Sequence, residues 1–222
     1  MIKQDDLALP GLVHDLNNIF QTLVDSADLL SEDENWKAVS AAILRSVERG
    51  RRITASLQAG HSAETRFDRI LDDAIAFVED SLLVGRRPHI LFVRDVEPGL
   101  ELAGHWAWER VLINLFLNAM RAMPQGGTIH VEARRQAEVI HIAVRDTGSG
   151  IAPEIIGRIF EPYVSTKQSG SAKSPGGLGL HVVWTIVHEG GGTVRAANRT
   201  DAPGAEFQIA IPSPQPGRVA HA

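Results

Sequence analysis

The stretch LVHDLNNIFQTLV, residues 12–24, contains the first side chains whose types and spacing could do chemistry. His14 is followed directly by Asp15, and Asn18 comes one helical turn later. An imidazole in such a place is buried packing, a metal ligand or an exposed nucleophile. Metal binding needs several convergent ligands, and only Asp15 lies at a suitable spacing. By itself the stretch favours an ordinary surface histidine, so a reactive His14 requires a second site that supplies a reaction partner.

Four stretches in the second half of the chain carry groups suited to binding a nucleotide. In NLFLNAMRAM, Asn114 and Asn118 lie one helical turn apart, and carboxamide oxygens on one face can ligate a hard cation. In DTGSG, Asp146 follows a predicted strand and can accept a hydrogen bond from an exocyclic amine, while the glycines let a flat ring approach. FEPYVSTK, residues 160–167, leads into a loop rich in Ser, Gly, Lys and Pro. GGLGL, residues 176–180, opens a helix whose N-terminus suits a phosphate. Each stretch alone is weak, because helix packing, a plain turn or a glycine-rich helix start explains it equally well.

A predicted helical hairpin must carry His14. Apolar residues recur from Leu9 to Leu30 at the three-four spacing of a packed helix, and His14 falls on the opposite, polar strip. SEDE, residues 31–34, matches a capping box with Ser31 as the N-cap of a second helix. Two helices alone bury too little, so we predict that the same hairpin from a second chain completes a dimeric four-helix bundle. The alternative is that the hairpin packs on the rest of its own chain. We expect the second helix to reach about residue 59, with an inner face formed by Trp36, Val39, Ile43, Ile53 and Leu57.

The remainder of the chain mixes helical and strand patterns. Residues 60–66, GHSAETR, are predicted to be a linker. Helical patterns then alternate with five strand patterns, HILFVRDV, GTIHVEARR, EVIHIAVRD, GTVRAANR and AEFQIAIP. A mixed sheet with helices on one face is an α+β layer sandwich. The predicted domains are residues 1–62 for the hairpin and 63–213 for the sandwich, with a disordered tail at 214–222.

The composition excludes several classes of function. The 222 residues include no cysteine, which excludes disulfides, thiolate metal sites and a cysteine nucleophile. A net charge of −5 provides no basic field that would attract nucleic acid. The longest apolar runs fall short of the roughly 18 residues that cross a bilayer, and MIKQDDLALP lacks the apolar centre of a signal peptide. We therefore predict a cytoplasmic chain, or the cytoplasmic part of a longer one, without a membrane segment or a nucleic-acid partner.

Taken together, in this order and spacing, the motifs resemble the catalytic core of two-component sensor histidine kinases. NLFLNAMRAM is similar to the N-box of that family, DTGSG to its G1-box, FEPYVSTK to its F-box and GGLGL to its G2-box. LVHDLNNIFQTLV resembles the H-box, in the subtype whose phosphoacceptor histidine is followed by Asp and Asn. The resemblance covers about residues 7–212. It implies an α/β-sandwich ATP-binding domain of the Bergerat type, in a superfamily that also includes the gyrase and MutL ATPases.

The resemblance also implies a role for each matching residue. His14 would be the phosphoacceptor, and Asn18 would position a water that hydrolyses an aspartyl phosphate. Asn118 resembles the Mg²⁺ ligand with Asn114 as its partner, and Asp146 resembles the carboxylate that binds adenine. The other nucleotide-binding residues that match are Arg121, Gly148, Gly150, Lys167, Gly177 and Gly179.

These residues predict an ATP-dependent protein histidine kinase that phosphorylates His14. A neutral imidazole nitrogen would attack, and Asp15 would orient the ring and accept its proton. The implied partners are a second copy of the chain, the receiver domain of a response regulator and, as one route for the signal, a separate sensor protein. An ATPase is disfavoured, because Asn114 stands where the hydrolases of the superfamily place a water-activating glutamate. The remaining alternative is a phosphotransferase or scaffold with a vestigial ATP domain.

Overall fold

The computed structural model describes residues 8–33, 35–37, 39–41, 43–47, 50, 54, 64–84, 88–164 and 177–213, without the side chains of residues 8–15, 64, 80–81 and 83–84. The chain divides into two compact units. The first comprises Met1–Ser62 and Glu79–Arg86, and the second comprises Ala63–Val78 and Arg87–Ala222. Among the described residues, no helix is both long enough and apolar enough to cross a membrane.

The first unit contains helix α1 (Ala8–Ser31) and further helical residues between positions 37 and 54. The ring of Phe20 lies against Gly50, in the space that a Cβ atom there would need. Trp36 is 50% exposed in the single chain, and its place on the inner face of the predicted dimeric bundle stays a prediction. The described residues of the hairpin that are buried are Ala27, Ser40, Val47 and Thr54. Of the other residues predicted there, Val39 and Ile43 are half-buried, whereas Ile53 and Leu57 lie outside the described residues.

The end of α1 corrects the predicted capping box. Ser31 is the last residue of α1, and its hydroxyl donates to the carbonyl of Asp28 at 2.6 Å. That carbonyl is one of the acceptors that a helix C-terminus leaves unpaired, so the serine satisfies α1 instead of starting the next helix. The turn is stabilised by Asp33, whose Oδ1 accepts the backbone N–H of Asn35 at 2.9 Å.

The second unit is built from short elements around one sheet. In chain order they are β1 (Glu64–Arg66), α2 (Phe67–Val84), β2 (Ile90–Val96), β3 (Glu101–Ala103), α3 (His105–Ala122), β4 (Gly127–Gln136), β5 (Val139–Asp146), α4 (Pro153–Ile156), α5 (Gly179–Glu189), β6 (Thr193–Asn198) and β7 (Ala205–Pro212). The last residues of α2 are grouped with the first unit. The five predicted strands of the main sheet are confirmed.

The main sheet has the order β2-β4-β5-β7-β6, in which β2 and β4 are parallel and the other pairs are antiparallel. A separate two-stranded sheet joins β1 to β3, with Arg66 opposite Glu101. The end of the predicted linker is therefore a strand, continued by a hydrogen bond of 2.7 Å from Phe67 N to Leu100 O. A strand of three residues is too short to show the alternation by which strands are predicted.

One face of the main sheet forms the core and the other meets solvent. On the inner face of β4 and β5, Val131 is paired with Val144, and both are buried. Phe92 of β2 packs edge-on against Phe116 of α3, with ring centroids 5.1 Å apart. On the outer face, Arg145 forms ion pairs with Glu132 at 2.8 Å and Glu206 at 2.5 Å. The predicted α+β class, a helical N-terminal region followed by a mixed sheet, is confirmed, whereas the dimeric bundle and the domain boundaries 1–62 and 63–213 stay predictions.

Candidate functional site

Asp146 ends β5 and is the buried carboxylate of the site, with 3% of its surface exposed. Its Oδ1 accepts two backbone N–H groups, from Gly148 at 2.8 Å and from Ala205 at 3.2 Å. Burial raises the pKa of Asp146, and these two hydrogen bonds and the charge of Arg199 partly offset that effect. No hydrogen bond from a described residue reaches Oδ2. The hydrogen bonds to Oδ1 therefore fix the carboxylate in place, and Oδ2 can accept a hydrogen bond from an amine of a ligand.

Arg199 and Gly204 contact the same aspartate, and the sequence did not predict either residue. Arg199 Nη1 donates to the carbonyl oxygen of Asp146 at 3.3 Å, and Nη2 pairs with Asp201 at 2.8 Å. The hydrogen bond to Asp201 raises the pKa of Arg199, so the guanidinium stays charged beside the site. Gly204 lies directly against the carbonyl of Asp146, where a side chain has no space. The glycine just before the closing strand was the one available signal.

The glycines of the G1-box are close to other parts of the protein. A Cβ atom on Gly148 would lie 2.7 Å from the Cβ of Ala122 and 2.8 Å from its carbonyl oxygen. The next residue, Ser149, donates its N–H to that same oxygen at 3.1 Å. Gly150 has φ 76°, and a Cβ atom there would lie 2.7 Å from Oδ1 of Asn198. Packing of the protein on itself therefore requires both glycines, and their contact with a nucleotide stays a prediction.

Helix α3 presents the predicted N-box residues at successive turns. Asn118 accepts a hydrogen bond at Oδ1 from Nη1 of Arg121 at 3.0 Å. The Nδ2 of Asn118 is buried and has no hydrogen-bond partner in the described part of the chain. Asn114 donates from Nδ2 to Arg110 O at 2.8 Å, and its Oδ1 faces the start of α5, 2.7 Å from where Gly179 would carry a Cβ. The N-box and the G2-box therefore meet at Asn114.

The F-box is attached to the same helix start. The imidazole of His181 in α5 is hydrogen-bonded through Nδ1 to the carbonyl of Phe160 at 3.1 Å. Tyr163 donates its N–H to the carbonyl of Gly177 at 3.1 Å. Gly177 has φ 99° and lies against the Tyr163 backbone, where a Cβ atom would have no space. The ring of Phe160 packs edge-on against Phe207, with centroids 6.4 Å apart. The structure thus brings the four motifs of the second unit together.

The chemistry of these side chains fits a nucleotide with a hard cation. The buried Nδ2 of Asn118 has no hydrogen-bond partner among the described residues, so it can donate a hydrogen bond to a phosphate oxygen. The described residues contain no group of three His, Asp or Glu that could hold a metal. A cation in this site would depend on carboxamide oxygens and on the nucleotide itself.

Four further site residues were predicted, and the structure does not test their roles. Asn18 lies in α1 and is exposed. His14 and Asp15 also lie in α1, but their side chains are outside the described residues, as is the whole of Lys167. The predicted exposure of His14 and the predicted phosphate contact of Lys167 therefore stay predictions.

Comparison with known proteins shows which family residues 107–215 resemble. Residues 107–215 match the family described as histidine kinase-, DNA gyrase B-, and HSP90-like ATPase. The chain is 27% identical over 230 residues to sensor kinase CckA of Brucella abortus (strain 2308), which covers 91% of the chain and 23% of that protein. It is 41% identical over 103 residues to sensor histidine kinase ZraS of Escherichia coli (strain K12), which covers 46% of the chain and 21% of that protein. The chain thus spans about a quarter or less of the length of these relatives.

Solved structures show the same fold. The mycobacterial sensor histidine kinase MprB has 25% identity and a TM-score of 0.57, with 68% of the chain and 97% of that structure covered. Full-length ShkA in complex with AMPPNP has 22% identity and a TM-score of 0.57, with 96% of the chain and 46% of that structure covered, and shows likeness of fold alone.

Residues 107–215 of the second unit therefore match the ATPase domain shared by histidine kinases, DNA gyrase B and HSP90, a domain that binds ATP in that family. The resemblance to a two-component histidine kinase catalytic core is confirmed, with kinase activity supported at the level of the family.

Proposed function

We propose that the chain is an ATP-dependent protein histidine kinase that phosphorylates His14 and passes the phosphoryl group to an aspartate of a response-regulator receiver domain. The observation that carries this proposal is the convergence of the four motifs, in which Asp146 has an oxygen for the adenine amine and Asn118 has a donor for a phosphate. Arg121, Gly177 and Gly179 are proposed to bind the phosphates beside Asn118, and Lys167 is proposed to join them.

The proposed reaction is a transfer of the γ-phosphoryl group of ATP to the imidazole of His14. A nitrogen of the neutral ring attacks the γ-phosphorus, a nitrogen–phosphorus bond forms, and the bond to the bridging oxygen of ADP breaks. Asp15 orients the ring and accepts the ring proton. Mg²⁺, when bound, neutralises charge on the phosphates, and the carboxamide oxygens of Asn118 and Asn114 are the groups that would hold it.

The proposed active form is a homodimer. Ile19 is 56% exposed and Leu23 is 42% exposed on α1, while Ala27 of the same helix is buried. Two large apolar residues of α1 therefore face outward in the single chain. A second hairpin that covers this stripe completes a four-helix bundle.

Asn18 is proposed to give the chain a second activity as a phosphatase of the response regulator. It follows His14 by four residues in α1, and its side chain is exposed. A carboxamide on that face can hold a water in line with an aspartyl phosphate.

Incubation with γ-labelled ATP tests the proposal. We expect acid-labile, base-stable label on the wild type and none on His14→Ala, although that variant still binds ATP. Asn18→Ala is the matched control, since it removes a neighbouring side chain of α1 but neither the nucleophile nor the ATP site. It should keep most of the label and lose most of the ability to shorten the lifetime of the phosphorylated regulator. Undiminished label on His14→Ala would contradict the assignment of the phosphoacceptor, and absence of ATP binding by the wild type would favour a vestigial ATP domain.

A further inference from the structure

We propose that Asn198 is a positioning residue for nucleotide recognition, which fixes the loop between β5 and α4 so that Asp146 is held in place for its ligand. This inference rests on the proposed binding of ATP. It concerns a residue outside the motifs that define the family resemblance.

The carboxamide of Asn198 makes two hydrogen bonds to one residue. Its Oδ1 accepts the backbone N–H of Ile151 at 2.6 Å, and its Nδ2 donates to the carbonyl of Ile151 at 2.8 Å. Ile151 is buried, so its backbone groups depend on these bonds in place of water. One side chain thus forms the pair of hydrogen bonds that a neighbouring strand would form, between residues 47 positions apart.

The same residue is connected to Asp146 by its backbone. Asn198 ends β6 and is paired with Ala205, the first residue of β7. Ala205 donates its N–H to Oδ1 of Asp146 at 3.2 Å. The side chain of Asn198 therefore fixes the far end of the loop that begins at Asp146, while its strand fixes the residue that holds the carboxylate.

Most attachments of the loop lie near Asp146. Gly148 N donates to Asp146, Ser149 N to Ala122 O, Thr128 N to Thr147 Oγ1 at 3.0 Å, and the Thr147 hydroxyl to Met123 Sδ at 3.5 Å. At the other end, within the described residues, the hydrogen bonds are the pair between Asn198 and Ile151 and the one from Ile155 N to Ala152 O where α4 begins. Asp146 is almost completely buried, so a shift of this loop cannot be compensated by water around the carboxylate. Loss of the Asn198 pair releases the end of the loop that lies next to α4.

The absence of a side chain at Gly150 makes space for the carboxamide of Asn198. With φ 76°, Gly150 adopts a conformation that other residues rarely adopt, and its missing Cβ is the space that Oδ1 of Asn198 occupies. Aspartate in place of Asn198 has the same shape, but an ionised carboxylate offers no donor and is repelled by the Ile151 carbonyl. The carboxamide is therefore the group that satisfies both backbone atoms at this distance.

The expected effect is confined to the base end of the nucleotide. The residues proposed to bind phosphate, Asn118 and Gly179, lie on α3 and α5, whereas the carboxamide of Asn198 is hydrogen-bonded to Ile151. We expect Asn198→Asp to raise KM for ATP and to leave kcat at saturating ATP unchanged. Discrimination between ATP and GTP should fall, because the orientation of the Asp146 carboxylate determines which exocyclic group of the base it can bind by a hydrogen bond.

Calorimetric titration of the full chain with ATP and with GTP tests the role of Asn198. We expect Asn198→Asp to weaken ATP binding about five- to tenfold, the scale of one or two uncharged hydrogen bonds, and to lower the ratio of ATP to GTP affinity. The matched control is Gln136→Glu, the same replacement of a carboxamide by a carboxylate at the exposed far end of β4, and its affinities should equal those of the wild type.

A coupling measurement separates positioning from a general loss of structure. Gly150→Ala should weaken ATP binding because its methyl group displaces the carboxamide, and Gly150→Ala combined with Asn198→Ala should be no worse than the more damaging single change. Additive losses, or Asn198→Asp with wild-type affinity and discrimination, would overturn the inference while leaving the proposed kinase intact. A wild-type chain that binds no ATP would overturn both.

Discussion

The guanidinium of Arg121 donates a hydrogen bond from Nη1 to Oδ1 of Asn118 across 3.0 Å. That oxygen is the atom proposed to hold Mg²⁺, so the guanidinium lies where the proposed cation would bind. Two cations repel each other at one oxygen, and we therefore expect the guanidinium to turn towards the phosphates when Mg²⁺ and ATP bind.

Removal of the Asn118 carboxamide should abolish most of the gain in ATP affinity that Mg²⁺ provides. Asn118→Ala loses the proposed metal ligand but keeps Asp146, Gly148 and Gly150, which are proposed to contact the base. Titrations with ATP in Mg²⁺ and in a chelator measure the gain, and the exposed Gln136→Ala serves as the control. A full Mg²⁺-dependent gain in Asn118→Ala would show that the metal is held elsewhere.

Asp146→Asn should weaken ATP binding and yet stabilise the nucleotide-free chain at neutral pH. The carboxamide keeps an acceptor for Gly148 N and Ala205 N but offers a poorer acceptor to the base, at a cost of about 1–3 kcal/mol. Burial raises the pKa of Asp146 from its ordinary value of 3.8, so ionisation costs more in the folded chain than in the unfolded chain. Wild-type stability therefore falls as pH rises from 3.8 through the folded-state pKa, and the loss is complete above it.

Urea unfolding of the wild type and of Asp146→Asn across this range checks the sign of the effect. The stability advantage of the variant should be largest at neutral pH and should shrink as pH falls through the pKa of Asp146. An advantage that grew towards low pH would contradict the raised pKa. Calorimetry on the same samples measures the loss of ATP affinity.

Gly148→Ala should destabilise the second unit, whereas Gly157→Ala should not. The new methyl group at Gly148 would lie within 2.9 Å of the Cβ, carbonyl oxygen and carbonyl carbon of Ala122, and backbone atoms at a helix end cannot move aside. Overpacking of this kind costs about 1–3 kcal/mol. A Cβ at Gly157 meets nothing within 4 Å, and its φ of −72° suits alanine, so this change should be neutral or stabilise by up to about 1 kcal/mol. Equal urea midpoints for the two variants would contradict the prediction.

Leu23→Lys should convert the proposed dimer to a monomer, whereas Gln21→Lys should leave it intact. Leu23 belongs to the exposed apolar stripe of α1, and a lysine there would bury a charge in the bundle. Gln21 is exposed and donates to Asp25 at 2.9 Å, so a lysine at this position meets a carboxylate. Light scattering at tens of micromolar, where micromolar association is visible, measures the mass. A wild-type chain that is a monomer at this concentration would refute the proposed dimer.

The spacing of apolar residues predicted the main helices and strands, because this spacing is set within each element. The alternation in β4 and β5 and the apolar stripe of α3 depend on which side of one element faces the core, and residue spacing records this. The residue pattern did not show which part of the apolar stripe the hairpin covers by itself. Ala27 and Val47 are buried in the single chain, whereas Ile19, Leu23 and Trp36 are exposed. Residue spacing cannot distinguish an apolar face that is covered by the same chain from one that is covered by a second chain.

The candidate site was predictable where a motif is contiguous and not where distant strands meet. Asp146 and Asn118 belong to short stretches whose residue types are informative together. Asn198 and Arg199 lie near Asp146 because β7 pairs with β5 and β6 pairs with β7. Their hydrogen bonds to Ile151 and to the Asp146 carbonyl therefore depend on the order of the strands in the sheet. The hydrogen bond between Arg121 and Asn118 lies within one motif, yet residue spacing does not reveal which side chain donates to Oδ1 of Asn118.

The connections of the sheet have a consequence for how the chain folds and how it can vary. Only β4–β5 and β6–β7 join neighbours in sequence, whereas β5 pairs with β7 although α4, α5 and β6 lie between them. We expect the two hairpins to form first and their docking to limit the folding rate, because contacts between distant residues require costly loop closure. The closure entropy grows only with the logarithm of loop length, about 0.6 kcal/mol for each doubling. The connection between β5 and β7 can therefore lengthen or shorten during evolution at little cost to the sheet.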